Sequence, residues 1–130
     1  MKKNLLLSVV VPAYNEKKTF SILVKKLLKL KIKRIKLEII IVESNSDDGT
    51  KEDALKFKNN KNIKLILQSK SNGKGNAVLE GFKHVTGDYV IIQDSDLEYD
   101  PNNFQVMLKP ILNKEAKFVI GSRIKKGILR

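Results

Sequence analysis

Five short apolar runs, each bounded by turn residues, are distributed along the chain. They are rich in β-branched residues and occupy positions 5–11, 37–42, 63–67, 89–93 and 117–121. Continuous apolar runs of this length are typical of strands that are buried on both faces of a sheet. The sequence therefore predicts five buried strands.

The segments between these runs have helical patterns. Four helices are predicted, at 20–30, 50–57, 76–84 and 101–112. In the first, apolar residues recur at the i, i+3, i+4, i+7 spacing of an amphipathic helix. In the second, Thr50 and Asp53 have the spacing of a capping box. Strands that alternate with helices favour an α/β fold, with a mostly parallel sheet and helices on both faces.

Composition limits the domain organisation and the chemistry. With 130 residues, of which 42% are hydrophobic, the chain is long enough for one buried core, and we expect a single domain over 1–130. Cysteine is absent, which excludes disulfides and thiolate metal sites. Any metal ion must therefore be held by oxygen ligands or by His84, which we expect to be a surface residue of a helix.

The formal net charge of +12 raises the question of an anionic partner. Residues 17–36 contain nine Lys or Arg residues and no acid, which would suit a nucleic-acid groove or an anionic membrane surface. However, the lysines at 25, 26 and 29 lie on the polar side of the first helical pattern, and interleaved aromatics are missing. We therefore expect an ordinary solvated face and no nucleic-acid partner.

The N-terminus imitates a secretory signal, because Lys2 and Lys3 precede the apolar run "LLLSVVV". The run ends at Pro12 without a small-residue cleavage site, so we interpret it as the first buried strand. No stretch approaches the roughly 18 apolar residues of a membrane span. We expect a cytoplasmic protein, with the inner face of the membrane as a further place of action.

Four polar stretches directly follow the first four predicted strands. They are "PAYNE" (12–16), "ESNSDDGT" (43–50), "SKSNGKGNA" (69–77) and "DSDLEYDP" (94–101). In a parallel sheet these positions meet at the carboxyl edge, where α/β domains bind their ligands. The sequence therefore predicts one binding site built from all four stretches.

Two of these stretches carry charge that suits a metal-bound diphosphate. Asp94 and Asp96 lie one residue apart at a strand end, and Mg²⁺ or Mn²⁺ is commonly held by one or two carboxylates together with substrate phosphates. Lys74, between two glycines at a predicted helix start, and Arg123 would face the anion. Taken alone, the acids could cap a helix and the glycine-rich loop could be a plain turn.

The motifs "SVVVPAYNE", "IIIVESNSDDGT", "NGKGNAVLEGFKHVTGDYVIIQDSDLEYDP" and "VIGSR" together resemble, in order and spacing, the inverting family 2 glycosyltransferases. The resemblance runs from Leu7 to Arg123 and is strongest for polyprenyl-phosphate sugar transferases and for cell-wall and polysaccharide glycosyltransferases. It implies a Rossmann-like GT-A fold, a UDP- or GDP-sugar donor, and Mn²⁺ or Mg²⁺ as the cofactor. It also implies inverting transfer to an acceptor such as a lipid phosphate or a polysaccharide.

The resemblance also assigns roles to residues. It places Pro12, Tyr14 and Glu16 along a nucleoside pocket and Glu43 at the base or ribose. With Lys74, the expected nucleotide-sugar-binding residues are Pro12, Tyr14, Glu16, Glu43, Lys74, Asp94 and Arg123. The expected metal ligands are Asp94, Asp96 and Glu98. Many relatives have Asp where this chain has Glu43, and polyprenyl-phosphate transferases often have Gln where it has Glu98.

The chain ends seven residues after Arg123, whereas relatives continue into a segment that binds the acceptor and supplies the catalytic base. We therefore expect the donor-binding part of a transferase, without an identifiable general base and with a sheet edge that favours homodimers. Two alternatives remain open. A sugar-1-phosphate nucleotidyltransferase would normally have a basic, glycine-rich loop in place of "PAYNE", and a non-catalytic basic module would bind nucleic acid in a salt-dependent manner.

Overall fold

A parallel sheet forms the centre of the protein. The computed structural model describes residues 5–95 and 119–120. The strands are β1 (Leu5–Ala13), β2 (Ile35–Glu43), β3 (Ile63–Leu67), β4 (Tyr89–Ile92) and β5 (Val119–Ile120). They are ordered β3-β2-β1-β4-β5, and each neighbouring pair is parallel. This arrangement confirms the predicted α/β fold with a parallel sheet.

Among residues 5–95, three helices connect strands β1 to β4, namely α1 (Phe20–Lys29), α2 (Thr50–Leu55) and α3 (Lys74–Phe82). They are the connections that parallel strands require, since consecutive parallel strands cannot be joined by a tight hairpin. The predicted helix at 101–112 lies outside the described residues. Within the described part of the chain, no helix has the length and apolar content needed to cross a bilayer.

The two faces of the sheet are covered by different helices. Because side chains alternate along a strand, β1 directs Val9 to one face and Val10 to the other. Val9 belongs to a buried cluster with residues of α1 and α2, including Phe20 and Ala54. Val10 belongs to a second cluster with Ala77 of α3. Helices therefore cover both faces, as the sequence predicts.

Strand β1 is longer than predicted and continues through Pro12 to Ala13. The carbonyl of Val10 accepts a hydrogen bond from the Gln93 N–H at 2.9 Å, on the β4 side of β1. The backbone nitrogen of Pro12, two residues on, therefore also points toward the β4 side. Strand β4 has already ended at Ile92. Proline, which lacks an N–H, therefore loses no ladder hydrogen bond at this position.

The capping box predicted for Thr50 and Asp53 is wrong. The cap residue of α2 is Gly49, whose φ of 105° is a left-handed conformation that suits glycine and which has no side chain to cap the helix. The Thr50 hydroxyl donates to the Asp48 carboxylate at 2.6 Å, and the Asp53 carboxylate accepts from Lys17 Nζ at 3.0 Å. Both side chains make contacts outside the helix, which local spacing does not reveal.

A buried carboxylate links the sheet to the loop between α3 and β4. Glu38 on β2 accepts hydrogen bonds from the Ser8 hydroxyl, from the N–H and hydroxyl of Thr86, and from Lys64 Nζ. Burial alone would raise the pKa of the Glu38 carboxyl, but these hydrogen bonds outweigh it and hold the pKa below its ordinary value. Glu38 is therefore ionised and fully paired at neutral pH.

The strand order reverses between β1 and β4. The chain moves outward from β1 to β2 and β3, and then returns to place β4 on the other side of β1. In α/β sheets such a reversal of strand order opens a crevice at the carboxyl edge, which is where ligands bind.

Candidate functional site

A cavity of about 290 Å³ lies at this reversal of strand order. All four polar stretches singled out in the sequence contribute to its wall. The lining residues are Pro12, Ala13, Tyr14, Glu16, Ser44, Ser71, Gly73, Lys74, Ala77, Asp94 and Ser95. The structure thus brings together side chains that are up to about eighty residues apart in the sequence.

Most of the expected site residues within the described ranges line this cavity. Those that do are Pro12, Tyr14, Glu16, Lys74 and Asp94. The remaining predicted residues Asp96, Glu98 and Arg123 lie outside the described residues. The roles given to all of them stay predictions.

Among the predicted site residues that the structure describes, Glu43 is the exception, because it does not line the cavity. Its side chain is fully buried, and its two carboxylate oxygens accept hydrogen bonds from the backbone N–H groups of Asn45 at 2.9 Å and Ser46 at 3.0 Å. The carboxylate therefore faces its own loop. The neighbouring Ser44 lines the cavity instead, and the predicted contact of Glu43 with a nucleoside stays a prediction.

Lys74 and Asp94 form an ion pair within the cavity wall. Lys74 is the first residue of α3, two residues earlier than the predicted helix start. The helix can begin there because Gly73 adopts a φ of 93°, which side chains other than glycine rarely tolerate. The lysine side chain is 43% exposed and that of Asp94 is 15% exposed. A carboxylate and an ammonium group are thus available side by side to a polar ligand.

Ser95, which follows Asp94 in the predicted metal motif, anchors the end of the described segment after β4 to β1. Its hydroxyl donates to the Pro12 carbonyl at 2.7 Å, and its own carbonyl accepts a hydrogen bond from the Thr19 hydroxyl. Ser95 is buried, with 3% of its surface exposed. These contacts fix the position of Asp94, and no sequence signal distinguishes this serine from any other loop serine.

A second set of hydrogen bonds joins the ends of β2 and β3 to α3. The Ser44 hydroxyl lies 2.8 Å from Gln68 Oε1, to which it donates, and the Gln68 amide donates to Asn76 Oδ1 at 2.9 Å. Asn76 lies in the first turn of α3. The side of the cavity formed by Ser44 and α3 is therefore held together by side chains that were not among the predicted site residues.

The described residues fit a divalent cation only in part. Within residues 5–95, no group of three or more His, Cys, Asp or Glu side chains is placed to hold a metal ion. Asp94 and Glu16 supply carboxylates to the cavity wall. Mg²⁺ and Mn²⁺ prefer such oxygen donors and are commonly bound by one or two carboxylates plus ligand phosphates. The donor set suits a cation shared with a phosphate ligand.

These features define a parallel α/β fold with a polar-lined cavity at the reversal of its strand order. The model of the family described as glycosyl transferase family 2 matches residues 8–129, and the chain belongs to this family. Membership favours a glycosyltransferase over the nucleotidyltransferase and the basic binding module considered from the sequence.

The curated relatives include transferases that are named for lipid phosphates. The chain is 32% identical over 120 residues to the dolichol-phosphate mannosyltransferase of Pyrococcus furiosus, and this match covers 92% of the chain and 34% of that protein. It is 38% identical over 128 residues to the dolichyl-phosphate beta-glucosyltransferase ALG5A of Trichomonas vaginalis, and this match covers 90% of the chain and 40% of that protein. The chain thus spans well under half the length of either relative.

The fold is shared with solved structures. One is the glucosyl-3-phosphoglycerate synthase of Mycobacterium tuberculosis in complex with Mn²⁺, uridine diphosphate and glucosyl-3-phosphoglycerate. It matches with a TM-score of 0.66 and 25% identity, over 83% of this chain and 40% of that chain. This similarity confirms the GT-A type of α/β fold that the motifs imply.

Proposed function

We propose that this chain binds a nucleotide-diphosphate sugar in the cavity and serves as the donor-binding part of a glycosyltransferase. The observation that carries the proposal is the convergence of Tyr14, Glu16, Lys74 and Asp94 on one 290 Å³ cavity. Pockets of about 300–1,000 Å³ are typical of small-molecule sites. The cavity is open at the carboxyl edge, so a nucleotide-diphosphate sugar would have room to extend beyond it.

The lining residues suit the two parts of such a donor. Tyr14, which is 47% exposed, offers an aromatic ring and Glu16 a carboxylate, which are suitable partners for a base and a ribose. Lys74 lies at the N-terminus of the nine-residue helix α3, where the ammonium group and the free backbone N–H groups attract an anion. In this proposal, Tyr14 and Glu16 bind the nucleoside and Lys74 binds the diphosphate.

The proposed cation site uses Asp94 together with Asp96 and Glu98. A bound Mn²⁺ or Mg²⁺ would supply positive charge that stabilises the departing nucleoside diphosphate. The complex of the Mycobacterium tuberculosis relative with Mn²⁺ and uridine diphosphate supports this part of the proposal. Lys74 already contacts Asp94, so the residues proposed for the cation and for the diphosphate are adjacent.

We further propose that transfer proceeds by a single displacement. An acceptor oxygen forms a bond to the anomeric carbon as the bond to the diphosphate oxygen breaks on the opposite face, which inverts the configuration. The names of the two curated relatives favour a lipid phosphate as the acceptor, with a polysaccharide as the other candidate. A lipid acceptor would place the reaction at the inner face of a membrane.

A binding panel tests the proposal. The purified chain is titrated with UDP-, GDP- and dTDP-sugars, each with and without Mn²⁺, and followed by thermal shift and calorimetry. We expect one nucleotide family to bind saturably, and to stabilise the fold more with Mn²⁺ than without it. Tripolyphosphate is the control for unspecific binding to a chain of charge +12. Equal stabilisation by tripolyphosphate and by every nucleotide sugar would contradict the proposal.

A further inference from the structure

The loop after β1, which carries Tyr14 and Glu16 into the cavity, is held by side chains of the loop after β2 and of Thr50, the first residue of α2. Three consecutive backbone N–H groups of the first loop each donate to the side-chain oxygen of a different residue in this second segment. The pairs are Asn15 with Ser46 Oγ at 2.9 Å, Glu16 with Thr50 Oγ1 at 2.9 Å, and Lys17 with Asp48 Oδ2 at 3.2 Å. In the reverse direction, the Asp47 N–H donates to Asn15 Oδ1 at 3.0 Å. The motif "NSDDGT" therefore contacts another loop.

The accepting side chains are themselves fixed. Thr50 is fully buried, and both its N–H and its hydroxyl donate to Asp48 Oδ1, at 2.9 and 2.6 Å. Burial would raise the pKa of the Asp48 carboxyl, but the hydrogen bonds from Thr50 and Lys17 outweigh it and lower the pKa. Asp48 thus stays an acceptor at neutral pH. Thr50, which donates to Asp48 and accepts from Glu16, links the two loops.

Glu43 extends this set of contacts into the sheet. Its carboxylate holds the N–H groups of Asn45 and Ser46, and the Ser46 hydroxyl in turn accepts from Asn15, the residue after Tyr14. Asn15 and Asn45 have φ values of 52° and 61°, in the left-handed region that non-glycine residues populate sparsely. Both loops therefore hold a conformation that needs support from the hydrogen bonds around it.

We propose that Glu43, Asp48 and Thr50 are positioning residues, which set the conformation of residues 14–17 and thereby control nucleotide binding without touching the nucleotide. The inference rests on the proposed function, because it assumes that the cavity binds a nucleotide. It gives Glu43 a role different from the nucleoside contact expected from the resemblance. The charged end of Glu43 acts on the cavity through Ser46 and Asn15.

The pair Thr50→Val and Thr50→Ser tests this role. Valine keeps the shape of threonine and removes the hydroxyl, whereas serine keeps the hydroxyl. Each variant is titrated with UDP and GDP in the presence of Mn²⁺, below the temperature at which either variant begins to unfold. We expect Thr50→Val to weaken binding roughly 5- to 100-fold, since a buried donor and acceptor lose their partner, and Thr50→Ser to bind within about threefold of the parent chain.

A second readout needs no nucleotide. In ¹⁵N-correlated NMR spectra, Thr50→Val should shift the amide signals of Asn15, Glu16 and Lys17, whereas Thr50→Ser should leave them near their parent positions. If the parent chain binds no nucleoside diphosphate, the proposed function fails, while this readout still decides whether Thr50 holds the loop. Parent-like amide signals in Thr50→Val, or equal damage by both variants, would overturn the inference.

A double-mutant cycle tests the role of Glu43. Glu43→Gln and Ser46→Ala should each weaken binding, and the double variant should be no weaker than the worse single variant, because both remove the same chain of contacts. Independent, multiplicative losses would indicate that Glu43 acts on the nucleotide by another route, and would overturn its assignment as a positioning residue.

Discussion

Gly81 lies where α3 meets the sheet, and replacing it with alanine should destabilise the fold. A Cβ atom at this position would lie 2.6 Å from Val10 Cγ1 and 3.2 Å from Val42 Cγ2. Apolar carbons normally approach to about 3.5–4.0 Å, so the first contact is short by roughly 1 Å. Both valines are fully buried, and β-branched side chains have few alternative rotamers. Helix α3 would therefore have to move away from the sheet.

The cost of this substitution can be bounded. Overpacking a dense core typically costs about 1–3 kcal/mol, and the better helix propensity of alanine returns at most about 1 kcal/mol. We therefore expect Gly81→Ala to lower the free energy of unfolding by about 1–2 kcal/mol. For a domain of this size, each kcal/mol corresponds to a decrease of about 3–5 °C in Tm.

The assay is urea unfolding followed by far-ultraviolet circular dichroism, with Gly75→Ala as the matched control. Gly75 lies in the same helix, and a Cβ atom there would meet no other atom within 4 Å. Gly75→Ala should be neutral or stabilise the fold by up to about 1 kcal/mol. A Gly81→Ala variant as stable as Gly75→Ala would refute the close packing of α3 against Val10.

Three further predictions concern charge, the nucleoside and pH. Lys74→Ala should weaken nucleoside diphosphate binding roughly tenfold while sparing free nucleoside, because a charge-assisted contact is lost. Calorimetry with Lys70→Ala as the control checks this, and equal losses in both variants would contradict it. Tyr14→Ala should weaken nucleoside and nucleoside diphosphate alike, and a loss confined to the diphosphate would show that the ring lies elsewhere. Because the folded-state pKa of Glu38 is lowered, its contribution to stability is present above its ordinary pKa of 4.5 and lost as pH falls through the folded-state value. Urea midpoints should therefore fall more steeply below pH 4.5 in the parent chain than in Glu38→Gln, and parallel curves would contradict this.

The sheet could be predicted from the sequence because buried parallel strands leave a strong local signal. The bounds of β3 were predicted as the structure has them, at 63–67, from a run of apolar residues between polar ones. The end of β1 could not be predicted in this way, because proline normally stops a strand. A proline is tolerated at Pro12 only because β4 has already ended beside it, and where β4 ends relative to β1 depends on the tertiary structure.

The place of the candidate site could also be predicted, whereas the partners of individual side chains could not. Strand ends in a parallel sheet share one edge, so Tyr14, Lys74 and Asp94 could be brought together from topology alone. Glu43 also follows this rule by position, but its carboxylate turns to two N–H groups of its own loop. The competition between a ligand and a local backbone partner is not visible in a sequence.

The most direct test of the proposed function is a calorimetric titration of the parent chain and of Asp94→Asn with UDP and GDP, with and without Mn²⁺. Asp94 is the described carboxylate that pairs with Lys74, and its replacement removes one charge while retaining the shape of the side chain. We expect the parent chain to bind one of the two nucleotides at a single site, more tightly with Mn²⁺, and Asp94→Asn to lose this Mn²⁺-dependent gain. No binding of either nucleotide, or the same gain from Mn²⁺ in both proteins, would contradict it.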